Sequence, residues 1–168
     1  MESEENMTKR ILAGLAALVI CFFLAGCDFE VKDKTYTSSG LTVTMEDGMF
    51  EKDLASATVY YEGTSVIMSG LKETFDALSV VNLGKESTIA DYIKVVEKNN
   101  GSTFDVKEED GITYFTYEKE ISGKSFFYLA SVYKTDDAFW LVNFGCETKN
   151  KDKYEQKFIK WAKTVKFE

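Results

Sequence analysis

The chain has 168 residues, of which 20 are basic and 28 acidic, with no histidine, no proline and a formal net charge of −8. Without histidine it cannot build a serine–histidine or cysteine–histidine relay, and it lacks the commonest transition-metal ligand. Its acidity argues against nucleic-acid binding, and no glycine-rich phosphate loop occurs among its 11 glycines, so no cofactor is expected.

The first predicted element is an export signal. Lys9 and Arg10 precede residues 11–26, an uncharged run of small and apolar side chains. At 16 residues the run is shorter than the ~20 that a bilayer core of ~30 Å requires, which separates it from a membrane span. Directly after it, Leu24-Ala25-Gly26-Cys27 resembles the lipobox of bacterial prolipoproteins, with the apolar residue, two small residues and the cysteine in register. The resemblance implies a diacylglyceryl thioether on Cys27 and cleavage between Gly26 and Cys27. Two acyl chains hold a protein far more firmly than one, since burial contributes ~0.8 kcal/mol per methylene. Glu2, Glu4 and Glu5 are unusual ahead of such a basic start, so translation is expected to begin at Met7 rather than Met1. A precursor mass that includes Met1 would refute that expectation. Asp28, next to Cys27, resembles an inner-membrane retention signal of some two-membrane bacteria.

Removing residues 1–26 leaves residues 27–168 with a net charge of −7, so membrane attachment must rest on the anchor. The mature chain is the size of one domain and needs no disulfide. Cys27 is committed to lipid and Cys146 then has no intrachain partner. Three units follow: signal peptide 1–26, a lipidated N-terminus and flexible tether 27–40, and a folded domain 41–168. The polar stretch 28–40, with Ser38-Ser39-Gly40 at its end, is read as the tether, with an extended reach of ~43 Å.

From Leu41 the dominant period is two. Leu41, Val43 and Met45 alternate with threonine, and Ala57, Val59 and Tyr61 alternate with Thr58 and Tyr60. Glu62-Gly63 turns the chain into a strand over 65–69. Residues 77–83 suggest a further short strand, although 71–78 fits a helical turn as well. Over 87–99 the period changes: Ile89, Tyr92, Ile93 and Val96 share a helical face, capped by Ser87 or Thr88 and stopped at Asn99-Asn100-Gly101. Three strands follow, with turns at Glu109-Asp110-Gly111, Gly123 and Asp136-Asp137. Both faces of 126–133 are apolar, which predicts a strand covered on both sides. A last helix begins near Asp152, with Tyr154, Phe158, Trp161, Ala162 and Val165 as its apolar stripe.

This order of strands, helix, strands and helix predicts an α+β domain with a central, mainly antiparallel sheet flanked by helices. The segments Gly40-Leu41-Thr42-Val43-Thr44-Met45, Thr88-Ile89-Ala90-Asp91-Tyr92 and Phe139-Trp140-Leu141-Val142, together with Phe158-Ile159-Lys160-Trp161-Ala162-Lys163-Thr164-Val165-Lys166-Phe167, resemble the family of photosystem II protein PsbP, the Ran-binding protein Mog1 and small bacterial lipoproteins. The resemblance implies a sheet sandwiched by helices and an interaction module rather than an enzyme. Met45-Glu46 departs from it, since such proteins commonly place proline after the first strand.

Little in the sequence points to chemistry. Glu108-Glu109-Asp110 and Asp136-Asp137 lack the spacing of a calcium loop and fit solvated turns, so a weak calcium site stays an alternative there. The lysines at 149, 151, 153, 157, 160, 163 and 166 are read as the solvated face of the last helix, against a patch that approaches headgroups or an acidic polymer. Tyr60, Tyr61, Tyr114 and Tyr117 lie on strands whose two faces are not both expected to be core, and they form the candidate interaction surface. The expectation is thus a membrane-anchored, extracytoplasmic lipoprotein without enzymatic activity. Its partners would be the membrane, through the diacylglyceryl anchor, and an envelope protein or glycan. The alternatives are a carboxylate-dependent enzyme on cell-wall glycans and a small-ligand-binding lipoprotein.

Overall fold

The computed structural model describes residues 32–168. The signal run, the lipobox and Cys27, together with the choice between Met1 and Met7, lie outside the described residues.

Among the described residues ten strands form two antiparallel sheets. The small sheet has the order β1 (Asp33–Ser38), β2 (Leu41–Glu46) and β10 (Lys166–Phe167), with β2 in the middle. The large one comprises β3 (Phe50–Glu51), β4 (Val59–Glu62), β5 (Val66–Thr74), β6 (Lys107–Glu109), β7 (Ile112–Ile121), β8 (Lys124–Lys134) and β9 (Ala138–Glu147). Its spatial order is β3-β4-β5-β9-β8-β7-β6, which places β9 at the centre with every residue buried. Next to it, β8 is buried from Phe126 to Val132, as expected of a strand covered twice.

Three α-helices complete the fold of the described residues. The short α1 (Phe75–Leu78) runs into a 3-10 turn at Ser79–Val81. A strand over 77–83 is therefore corrected: β5 continues to Thr74, and the Thr74 hydroxyl caps a helical turn there by accepting from the Ala77 N–H. Helix α2 (Ile89–Asn100) starts in a capping box between Thr88 and Asp91 and stops at Gly101 with φ 61°. Helix α3 (Lys151–Ala162) buries Tyr154, Phe158, Ile159, Trp161 and Ala162.

The two faces of the large sheet carry separate cores. On one, Val66, Met68, Trp140, Val142, Phe144, Phe127 and Leu129 pack against α3 and the small sheet. On the other, Phe115, Ala130, Val132, Phe139 and Leu141 pack against Leu78, Tyr92, Ile93 and Val96. A satellite cluster of Tyr60, Ile67, Phe126 and Tyr128 occupies the rest of that second face, with Leu54 and Ala57 packed against it.

Residues 33–38, expected to belong to a tether, are part of the fold. They form β1, paired along its whole length with β2 from Asp33↔Glu46 to Ser38↔Leu41. Ser39 and Gly40, with φ of 49° and 81°, make the reversing turn. Only Tyr36 of β1 is buried, which is why the segment lacks a period-two apolar signal.

Candidate functional site

The four tyrosines do not form a surface. Tyr60, Tyr61 and Tyr114 are buried and Tyr117 is half-buried. Alternation sends Tyr60 and Tyr61 to opposite faces of β4, and both faces are covered. Tyr61 meets Tyr36 of the small sheet at 5.1 Å, and the Tyr114 hydroxyl donates to Glu109 at 3.2 Å. On the other face Tyr117 stacks on Tyr128 at 4.9 Å and donates to the buried Asn143 at 3.1 Å. Burial raises the Tyr60 and Tyr117 phenols well above their ordinary range. The tyrosine recognition surface is therefore corrected to core: the second sheet, the helices and the 52–58 loop seal faces that the sequence left open.

Part of each acidic cluster is occupied by internal contacts. Glu109 and Asp110 both hold the Lys163 ammonium, at 2.9 and 2.8 Å, and Asp137 holds Lys72 at 2.7 Å. Among the described residues no three acidic or cysteine side chains gather as a metal site. Burial lifts the carboxyls of Glu46 and Glu73 above the usual carboxylate range. Glu46 is tied to Tyr154 and Lys157 beside α3, whereas Glu73 accepts from the Tyr92 hydroxyl on the α2 side. They lie on opposite faces of the large sheet and do not face each other across a cleft, as a glycosidase pair must.

Cys146 is fully buried, and burial pushes its thiol from 9.0 up to about 12. The folded state thus favours the protonated thiol. Its contribution to stability is complete below pH ~9 and lost as pH rises from there towards 12. A disulfide reagent at pH 8 is expected to leave Cys146 unmodified in the native protein and to react fully once urea unfolds it. Rapid native labelling would contradict this burial.

The described residues form a concavity that is open to solvent. A cleft of about 330 Å³ lies between the Ser39–Gly40 turn, Lys72 of β5, the Asp136–Asp137 turn, Trp140 of β9 and the terminal Phe167–Glu168. Trp140 and Phe167 meet at 5.0 Å to form its apolar floor. The Lys72 ammonium lies 5.9 Å from the Trp140 ring centre and pairs with Asp137 on the rim. The cleft is at the turn of the β1–β2 hairpin. The chain enters β1 at the opposite, open end, where Asp33 pairs with Glu46, about 17 Å away along the strand. The site is not legible in the sequence because its parts come from four separate segments, and β1 carries no apolar alternation.

No known protein family matches the sequence, and no curated protein matches it. Solved structures do share the architecture. The cyanobacterial PsbP (CyanoP) of Synechocystis sp. superposes with a TM-score of 0.55 at 13% identity, covering 87% of this chain and 98% of that one. The Ran-binding protein Mog1p of Saccharomyces cerevisiae gives a TM-score of 0.53 at 8% identity, covering 82% and 96%. A protein from Bacteroides thetaiotaomicron gives 0.54 at 10% identity, with 80% of this chain on 48% of that one. The fold is thus PsbP/Mog1-like, as the sequence resemblance implied, and these identities speak to the fold alone.

Proposed function

We propose that the chain is a lipoprotein held at the extracytoplasmic face of a cell membrane by a diacylglyceryl group on Cys27, and that its domain is a non-catalytic binding module. The observation that carries the reading is the Leu24-Ala25-Gly26-Cys27 box at the end of an uncharged run too short to span a bilayer. Among the described residues no helix is long and apolar enough to cross a membrane, so attachment falls to the acyl chains.

A binding role is supported by the doubly covered sheet and by lysines that engage Glu109, Asp110 and Asp137 of the acidic clusters. The yeast protein of this fold is a Ran-binding protein, a precedent for recognising a protein partner. With the tyrosines in the core, the recognition surface moves to the cleft between the Ser39–Gly40 turn and Asp136–Asp137, where an envelope protein or glycan would be met. A photocrosslinker at position 136 is expected to give an adduct in intact cells that the same group at Lys94, on the exposed side of α2, does not give. Identical patterns from both positions would remove the cleft from consideration. Small-ligand binding is the second reading, favoured by a cleft volume at the lower end of the ~300–1,000 Å³ of ligand pockets.

A further inference from the structure

The chain enters its domain beside a cluster of lysines. The Lys32 carbonyl accepts from the Asp47 N–H at 2.7 Å, and Lys34 lies 3.5 Å from Asp47. From α3, Lys160 reaches Asp33 at 2.7 Å and Lys157 reaches Glu46 at 3.8 Å. Lys153, one turn before Lys157, acts on the same Glu46 carboxyl. Five lysines thus stand against Asp33, Glu46 and Asp47 at this end of the domain, an excess of two positive charges on a chain of net charge −8. The ammonium groups of Lys34, Lys157 and Lys160 remain substantially exposed despite their ion pairs, and such exposed pairs exchange readily for another anion.

The correction to the tether gives this cluster its meaning. If Cys27 carries the lipid, as proposed above, only six residues connect the acyl chains to β1, a reach of at most ~20 Å. We infer that the lysines of β1 and α3 rest on the phosphate groups of the lipid surface and orient the domain with its cleft pointing outward. Attachment comes from the acyl chains, so the lysines need only bias orientation. Tethering makes each contact intramolecular, and a weak preference then suffices. Asp28 and Glu30 lie within the connecting stretch and offset the local excess, leaving the rest of the mature chain with the net −7. An anionic surface therefore repels the remainder of the molecule while the lysine end meets it, and the two effects turn the domain the same way.

The test is amine acetylation of the full-length lipidated chain in vesicles, read lysine by lysine by mass spectrometry. Phosphatidylcholine vesicles are compared with vesicles containing phosphatidylglycerol. On the anionic surface Lys34, Lys157 and Lys160 are expected to react about fivefold more slowly than on the neutral one, with Lys85 and Lys94 unchanged. Raising salt to 1 M, where the screening length falls to ~3 Å, is expected to erase the difference. In Lys157→Gln/Lys160→Gln the protection of Lys34 is expected to weaken. Equal labelling of all these lysines on both surfaces, with Cys27 lipidated, overturns the orientation and leaves the anchor intact. A chain that fails to partition into either vesicle and has an unmodified Cys27 overturns both.

Discussion

Phe158→Ala is expected to lower the unfolding free energy by about 3–5 kcal/mol, the largest loss of any single truncation discussed here. The ring is fully buried. It lies 6.3 Å from Phe127, 5.9 Å from Phe144, 5.7 Å from Tyr154 and 5.5 Å from Trp161. These neighbours belong to β8, β9 and α3, so the ring is where the helix is fastened to the two innermost strands. Removing it takes away apolar burial and leaves a cavity that four rigid rings are poorly able to close. For a domain whose total stability is on the order of 5–15 kcal/mol, that is roughly a third or more of the total at the middle of the range. Urea unfolding measures the loss directly. Phe50→Ala is the matched control: that ring is 70% exposed on an edge strand, and its removal is expected to shift stability by no more than ~0.5 kcal/mol. A loss below ~1 kcal/mol at Phe158 would contradict the packing described for α3.

Gly145→Ala tests the opposite face. A methyl group there would stand 2.6 and 2.7 Å from Cε1 and Cδ1 of Tyr128 and 3.0 Å from Cγ1 of Ile67. The backbone at Gly145 is ordinary strand, so the penalty comes from crowding alone. Tyr128 has little room to retreat, being stacked on Tyr117, and its own strand is paired on both sides by β7 and β9. A loss of about 1–3 kcal/mol is expected, as for over-packing elsewhere. Gly84→Ala, where the added methyl meets nothing within 4 Å, is expected to be neutral or slightly stabilising. Equal thermal unfolding of the two variants would mean that the Tyr128 ring does not lie over Gly145.

These variants also mark what the sequence made legible. Period-two alternation locates β2 and β4, apolar residues on both faces mark β8, and the Thr88 cap with Gly101 frames α2 within two residues. Trp140 and Gly145 are five residues apart and so fall on opposite faces of a strand, but the reason for a glycine there, the Tyr128 ring from the neighbouring strand, requires the register. The turns at Gly111 and Gly123 were read as hairpins. Ser39–Gly40 has the same pair of positive φ angles as Asp110–Gly111 and Ser122–Gly123 but carries no such signal in the sequence, because β1 is an edge strand with one buried side chain and offers no apolar alternation. The tyrosines failed for a related reason. Alternation says which residues share a face, whereas what covers that face depends on segments far away in sequence, here the small sheet and the 52–58 loop. The cleft is illegible on the same ground, being closed by residues from both ends of the domain.

The reading as a whole depends on position 27. Intact-mass and peptide analysis of the protein purified from its own cell membranes is the most direct measurement. The account expects a chain that begins at Cys27 and carries a diacylglyceryl group on sulfur, with Cys27→Ser leaving the protein unprocessed and without that mass. A free thiol at Cys27 with residues 1–26 still attached would contradict it.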